Sequence, residues 1–185
     1  MDDAVSAAFE AIPREGFLPR ESRSRADHDG PIAIGHGQTN SQPRTVAAML
    51  RLLEVHPGQR VLDVGAGSGW STALLAHLVG PTGEVLGLEL EPELVDWGSA
   101  NLAAMKSPGR IRAAAPDVLG APKEGPWDRI LVSAEATRLP QALVQQLGDP
   151  GRLVIPVAGS MTLVRCDGGV ITTSTHGYYR FVPLR

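Results

Sequence analysis

The sequence predicts an α/β fold: a doubly wound, mostly parallel sheet that closes with an antiparallel hairpin at its C-terminal edge. Three observations predict it. Short apolar runs alternate with helical patterns from residue 60 to residue 158, and strands alternating with helices pair in parallel. A glycine turn, Gly65-Ala66-Gly67-Ser68-Gly69, joins the first of these strands to a helix. Near the end, two β-rich runs flank Asp167-Gly168-Gly169, a hairpin signal.

Residues 2 to 12 read as a short helix, and "PREGFLPRESRSRADHDGP" as a long surface loop whose arginines, Arg14, Arg20, Arg23 and Arg25, are solvated. In "TNSQP", Asn40 or Ser41 can cap a helix and Pro43 fits its first turn. Val46, Met49, Leu50 and Leu53 then fall on one helical face, and His56-Pro57-Gly58 ends that helix. "RVLDV" is a buried strand, "WSTALLAHLV" a helix, "GPTG" a turn and "EVLGLEL" the next strand. A helix over 92 to 105 opens with proline near its start and acids in its first turn, and the weak strand "RIRAAA" follows. "WDRILVSA" is a strand, "LPQALVQQL" a helix, "GDPG" a turn and "RLVIPVA" a strand. With 185 residues, 43% of them apolar, the chain is read as one domain: a helix and loop over 1–45, an α/β core over 46–160 and a β pair over 161–185.

Composition excludes several functions. Seventeen basic against twenty acidic residues leave a net charge of −3, which gives no electrostatic footprint for nucleic acid. The single cysteine, Cys166, rules out an intrachain disulfide and reads as a packing residue in a strand. The opening "MDDAVSAAFEAIP" lacks the basic and apolar regions of a secretory signal, and no apolar run is long enough for a membrane helix. A cytoplasmic monomer is expected. The histidines, His28, His36, His56, His77 and His176, lack metal-ligand spacing, so no metal is expected. Ser68, with Ala66 two before and Trp70 two after, is not a hydrolase nucleophile elbow.

In an open α/β sheet a ligand settles beyond the carboxyl ends of the strands, where the strand order reverses. The glycine turn lies there, and it lets a ligand approach backbone amides at a helix start. Its third glycine comes one place earlier than in a dinucleotide fingerprint, and Asp63 sits in the preceding strand. Glu89, twenty residues beyond Gly69, is placed to accept ribose hydroxyls of either NAD or S-adenosylmethionine. Asp117 follows the third strand, and Ser133 and Glu135 follow the fourth, without an indication of which side chain turns inward.

"VLDVGAGSG" resembles the nucleotide motif of class I S-adenosylmethionine-dependent methyltransferases, which have a Rossmann-like fold. The resemblance implies Asp63 near the methionine end of the cofactor and Gly65, Ala66, Gly67, Ser68 and Gly69 beneath it. It further implies Glu89, with Leu90, at the ribose and Asp117, with Val118, at the adenine. "DGPIAIGHGQTNSQP", "WDRILVSAEATRLPQALVQQLGDPGRLVIPV" and "RFVPLR" are similar, in order and spacing, to protein-L-isoaspartate O-methyltransferases, over roughly residues 13 to 185. What this implies is methylation of the α-carboxylate of L-isoaspartyl residues in a protein or peptide acceptor, a repair reaction. Ser41 would touch that carboxylate, and Gln38, Thr39 and Asn40 would complete the acceptor loop.

The chain departs from the family pattern at Asn40, usually aliphatic, at Asp27, near a usual tyrosine, at Pro116-Asp117-Val118, usually G-D-G, and at Glu135, usually alanine-like. Three other readings stay open at this point: a related enzyme acting on another carboxylate such as a side-chain Asp, a tRNA base methyltransferase, and a binding module without turnover. The acidic balance argues against the tRNA enzyme.

Overall fold

A computed structural model describes residues 3–185. The elements are α1 (Ala4–Ala11), two 3-10 turns (Arg14–Phe17 and Arg20–Arg25), β1 (Ile32–Gly35), β2 (Gln38–Asn40), α2 (Pro43–Leu53), β3 (Arg60–Val64) and α3 (Trp70–Val79). They continue with β4 (Glu84–Glu89), α4 (Pro92–Ala104), β5 (Arg110–Ala113), β6 (Trp127–Val132), α5 (Gln141–Val144), β7 (Leu147–Val157), β8 (Ser160–Asp167) and β9 (Val170–Tyr178). The expected start of the first helix at Asp2 lies outside the described residues.

Seven strands form one sheet in the order β5-β4-β3-β6-β7-β8-β9. β5, β4, β3, β6 and β7 run parallel; β8 and β9 are antiparallel. From β3 the chain steps outward through β4 and β5, then returns to lay β6 on the other side of β3. That reversal opens a crevice at the carboxyl ends of β3 and β6. Successive strand residues face opposite sides, so Val61, Leu131 and Val154 join a core with α1, α2 and α3, whereas Leu62, Ile130 and Leu153 pack with Leu143 and Val144 of α5. The second face is covered only lightly by helix, because α5 is a single turn where nine residues of helix were expected.

Further expectations are corrected, the first of them in part. The segment after residue 13 keeps Arg20, Arg23 and Arg25 exposed as expected, but it folds into two 3-10 turns beside buried Phe17 and Leu18, and Arg14 is only 5% exposed. The density of charge in the sequence conceals that apolar pair. Residues 32–40 form a small hairpin, with Ile32 opposite Asn40 and a turn in which Gly35, His36 and Gly37 all take positive φ. Finally, neither Asn40 nor Ser41 caps α2. Gln42 holds the cap position without a side-chain capping bond among the described residues, and the Arg44 amide donates instead to Asp29 Oδ1 at 3.1 Å. Pro43 does open the helix as expected. The "GDPG" stretch lies within β7 rather than before it.

Candidate active site

The glycine turn leaves β3 at the switch point. Gly65, Gly67 and Gly69 have φ of +84°, +53° and +90°, a region that side chains rarely adopt. Crowding reinforces the requirement: α4 passes so closely that a Cβ on Gly98 would lie 2.7 Å from the Gly67 carbonyl oxygen. Glu89, at the end of β4, pins the turn. Its Oε2 accepts from the Gly67 amide at 2.8 Å, and its Oε1 accepts from the Leu90 and Glu91 amides at 2.7 and 3.1 Å.

Asp63 lies behind the turn, fully buried. Its Oδ2 accepts from the Ser71 and Thr72 hydroxyls, both at 2.7 Å, whereas Oδ1 has no partner among the described residues. Burial pushes its carboxyl up to about 6, against the hydroxyl bonds that pull it down. An unpartnered buried oxygen beside a glycine cradle is an acceptor waiting for a donor.

The hairpin β1–β2 and the start of α2 form the opposite rim. Gln38, Thr39, Asn40 and Ser41 line the same cleft, of about 1170 Å³, as Gly65, Ala66, Gly67, Ser68, Glu89 and Leu90. Gly69 and Asp63 stand behind its wall. Arg14 holds the rim together. Its Nη2 donates to the carbonyls of Gly30, Asn40 and Ser41 at 2.8, 3.1 and 3.0 Å, and its Nη1 to that of His28 at 2.8 Å. The guanidinium also lies over the Trp70 ring, 5.5 Å from its centroid. Burial lowers its pKa to about 10, so it stays charged at neutral pH. Asn40 is 4% exposed, and its amide bonds inward, to Arg14 and to Ser68.

Asp117 and Val118 line the end of the cleft beyond β5, both exposed, with Asp117 at φ +59°. After β6, Ser133 turns into the cleft and Glu135 does not. Glu135 instead fastens the C-terminal tail: its carboxylate accepts from the Gly159 and Phe181 amides, and its backbone exchanges bonds with Val182 and Leu184. That tail, Tyr178 to Arg185, forms part of the cleft wall. Sequence reasoning missed Arg14 and Glu135. Nothing in a charged run singles out the one arginine whose five donors all meet carbonyls.

The residues present suit an adenosyl ligand: a glycine turn with close backbone approach, a carboxylate at the end of β4 and an orphaned acceptor at the end of β3. The sequence model of the family described as protein-L-isoaspartate(D-aspartate) O-methyltransferase matches residues 1–185. The chain belongs to that family. Among its relatives, the protein-L-isoaspartate O-methyltransferase of Methanopyrus kandleri is 42% identical over 186 residues, covering 97% of this chain and 82% of the relative. That of Methanocella arvoryzae is 41% identical over 179 residues and covers 95% of each. In structure, a Plasmodium falciparum chain described as a member of the family, crystallised with S-adenosyl-L-homocysteine, superposes with a TM-score of 0.88 at 29% identity. The match covers 100% of this chain and 91% of that one. Among the described residues, no helix is long and apolar enough to cross a membrane.

Proposed function

We propose that this chain methylates the α-carboxylate of L-isoaspartyl residues in proteins and peptides, with S-adenosylmethionine as donor. The observation that carries the reading is the meeting of two rims, the glycine turn and the Gln38–Ser41 segment, in one cleft. Gly65, Ala66, Gly67 and Ser68 would cradle the cofactor, Glu89 and Leu90 its ribose, and Asp117 and Val118 its adenine, while Gly69 and Asp63, behind the wall, would hold the turn in shape, Asp63 at the methionine end. When bound, S-adenosylmethionine supplies an electrophilic sulfonium methyl group.

What the chain must do is correspondingly limited. The acceptor carboxylate, with an ordinary pKa of about 3.3 to 3.7, is already ionised at pH 7 and needs no general base. The reaction therefore asks the cleft for orientation and exclusion of water rather than for proton transfer. Orientation of this kind can contribute on the order of 7 to 11 kcal/mol. The Ser41 hydroxyl is the group proposed to donate to the carboxylate and aim one oxygen, within the loop formed by Gln38, Thr39 and Asn40. A protein or peptide acceptor needs an open approach, which the exposed rim and tail provide. We place the enzyme in the cytoplasm, acting as a monomer.

The test uses methyl-labelled S-adenosylmethionine and two peptides that differ only in carrying aspartate or L-isoaspartate. Label is expected in the isoaspartyl peptide alone. Equal labelling of both peptides would sink the repair reading in favour of a broader carboxylate acceptor, and tight cofactor binding without label would leave a binding module.

A further inference from the structure

We infer that Asn40 is a positioning residue that couples cofactor capture at the glycine turn to the shape of the acceptor loop. Asn40 ends β2, next to Ser41, and its buried side chain spans the gap between the two rims of the cleft. Its Oδ1 accepts from Arg14 Nε at 2.7 Å, and its Nδ2 donates to Ser68 Oγ at 3.1 Å. A guanidinium carries donors only, so the carboxamide oxygen must face Arg14 and the nitrogen must face the turn. The orientation is fixed by chemistry.

Both ends of this bridge are anchored. On the turn side, Asn101 Nδ2 donates to the Ser68 carbonyl at 2.9 Å, which ties that residue to α4. On the loop side, the same Arg14 that grips the Asn40 carboxamide also donates to the backbone carbonyls of Asn40 and Ser41. A shift of Ser68 therefore reaches the Ser41 backbone through two side chains, without passing through solvent. A cofactor that closes on the turn fixes Ser68, and through Asn40 and Arg14 it fixes the peptide unit that carries the Ser41 hydroxyl. By linkage, whatever order the loop gains from the cofactor returns as cofactor affinity when an acceptor orders the loop.

A purely structural asparagine, present only to satisfy Arg14, predicts something different. Its loss would loosen the loop equally with and without cofactor. Amide hydrogen exchange at Gln38 to Gln42 separates the two, measured in the free protein and at saturating S-adenosyl-L-homocysteine so that any loss of affinity drops out. In the wild type the product is expected to slow these amides on the order of 10-fold, within the roughly 5- to 150-fold range of intramolecular couplings. In Asn40→Leu the slowing is expected to fall below about twofold. Ser68→Ala removes the same bond from the turn side and leaves the Arg14–Asn40 contact in place. It is expected to give the same loss, and it decides the matter alone if Asn40→Leu does not fold. Slowing retained in a folded variant, or absent from the wild type, overturns the inference. The inference rests on the proposed function only for the cofactor. A chain that shows this coupling but methylates some other carboxylate would fail that reading and pass this one.

Discussion

Asp63→Asn should make the protein more stable at neutral pH and a poorer binder of its cofactor. In the folded chain burial raises the Asp63 carboxyl from 3.8 to about 6. At 1.36 kcal/mol per pH unit this corresponds to about 3 kcal/mol. The folded state holds the proton more tightly than the unfolded state, so the favourable contribution is complete below about pH 4. It is lost as pH rises through about 6. At pH 7 to 8 the wild type therefore carries a buried charge whose Oδ1 has no partner among the described residues, and an amide removes that charge. An asparagine oxygen can still accept from Ser71 and Thr72. Urea unfolding of both proteins between pH 4.5 and 8 checks this: the variant should gain about 2 kcal/mol relative to wild type across the interval, the difference growing most steeply below about pH 6 and levelling off above about 7. Titration calorimetry on the same samples should show weaker binding of S-adenosylhomocysteine. A stability difference that does not change with pH would refute the assignment of the strain to the Asp63 charge.

Other perturbations separate the rims of the cleft. Ser41→Ala should lower kcat by 10-fold or more while leaving S-adenosylhomocysteine affinity within about twofold, as expected for an orienting hydroxyl; unchanged turnover by a radiometric assay would remove Ser41 from the site. Gly98→Ala drives a Cβ to 2.7 Å from the Gly67 carbonyl oxygen, so it should displace the turn, cost about 1 to 3 kcal/mol in unfolding experiments and weaken cofactor binding. Glu135→Ala leaves the Gly159 and Phe181 amides without their acceptor, and it should make the segment after Tyr178 sensitive to limited proteolysis and raise KM for peptides more than it lowers kcat.

The core was legible because its signals are local. β3 and α3 occur over the same residues that the sequence indicates, since an apolar run bounded by Gln59 and Gly65 admits one strand register and Gly80 ends the helix. The hairpin turn at Asp167-Gly168-Gly169 was equally plain. What escaped depends on distant partners. Arg14 reads as solvated until the carbonyls of His28, Gly30, Asn40 and Ser41 are brought around it, and Glu135 reads as a crevice residue until the tail returns to it. α5 has the periodicity of a longer helix, but β7 begins at Leu147 and pairing with Trp127 claims the residues that would have extended it. In each case a tertiary contact decides what local propensity leaves open.

Ser41 shows how the structure can strengthen a functional argument by removing a structural one. A serine two places before a proline, ahead of an amphipathic helix, is sufficiently explained as a cap, and its hydroxyl then has an occupation worth about 1 kcal/mol. Here that occupation is taken. Gln42 stands at the cap position, Asp29 reaches across from the preceding segment to the Arg44 amide, and the Thr45 hydroxyl turns to the Gln42 side chain. Ser41 contributes its carbonyl to Arg14, a duty any residue could perform, and among the described residues its hydroxyl makes no hydrogen bond. A side chain released from the helix start, held by its backbone to a buried cation and placed on the wall of the cleft is free for the acceptor contact proposed for it.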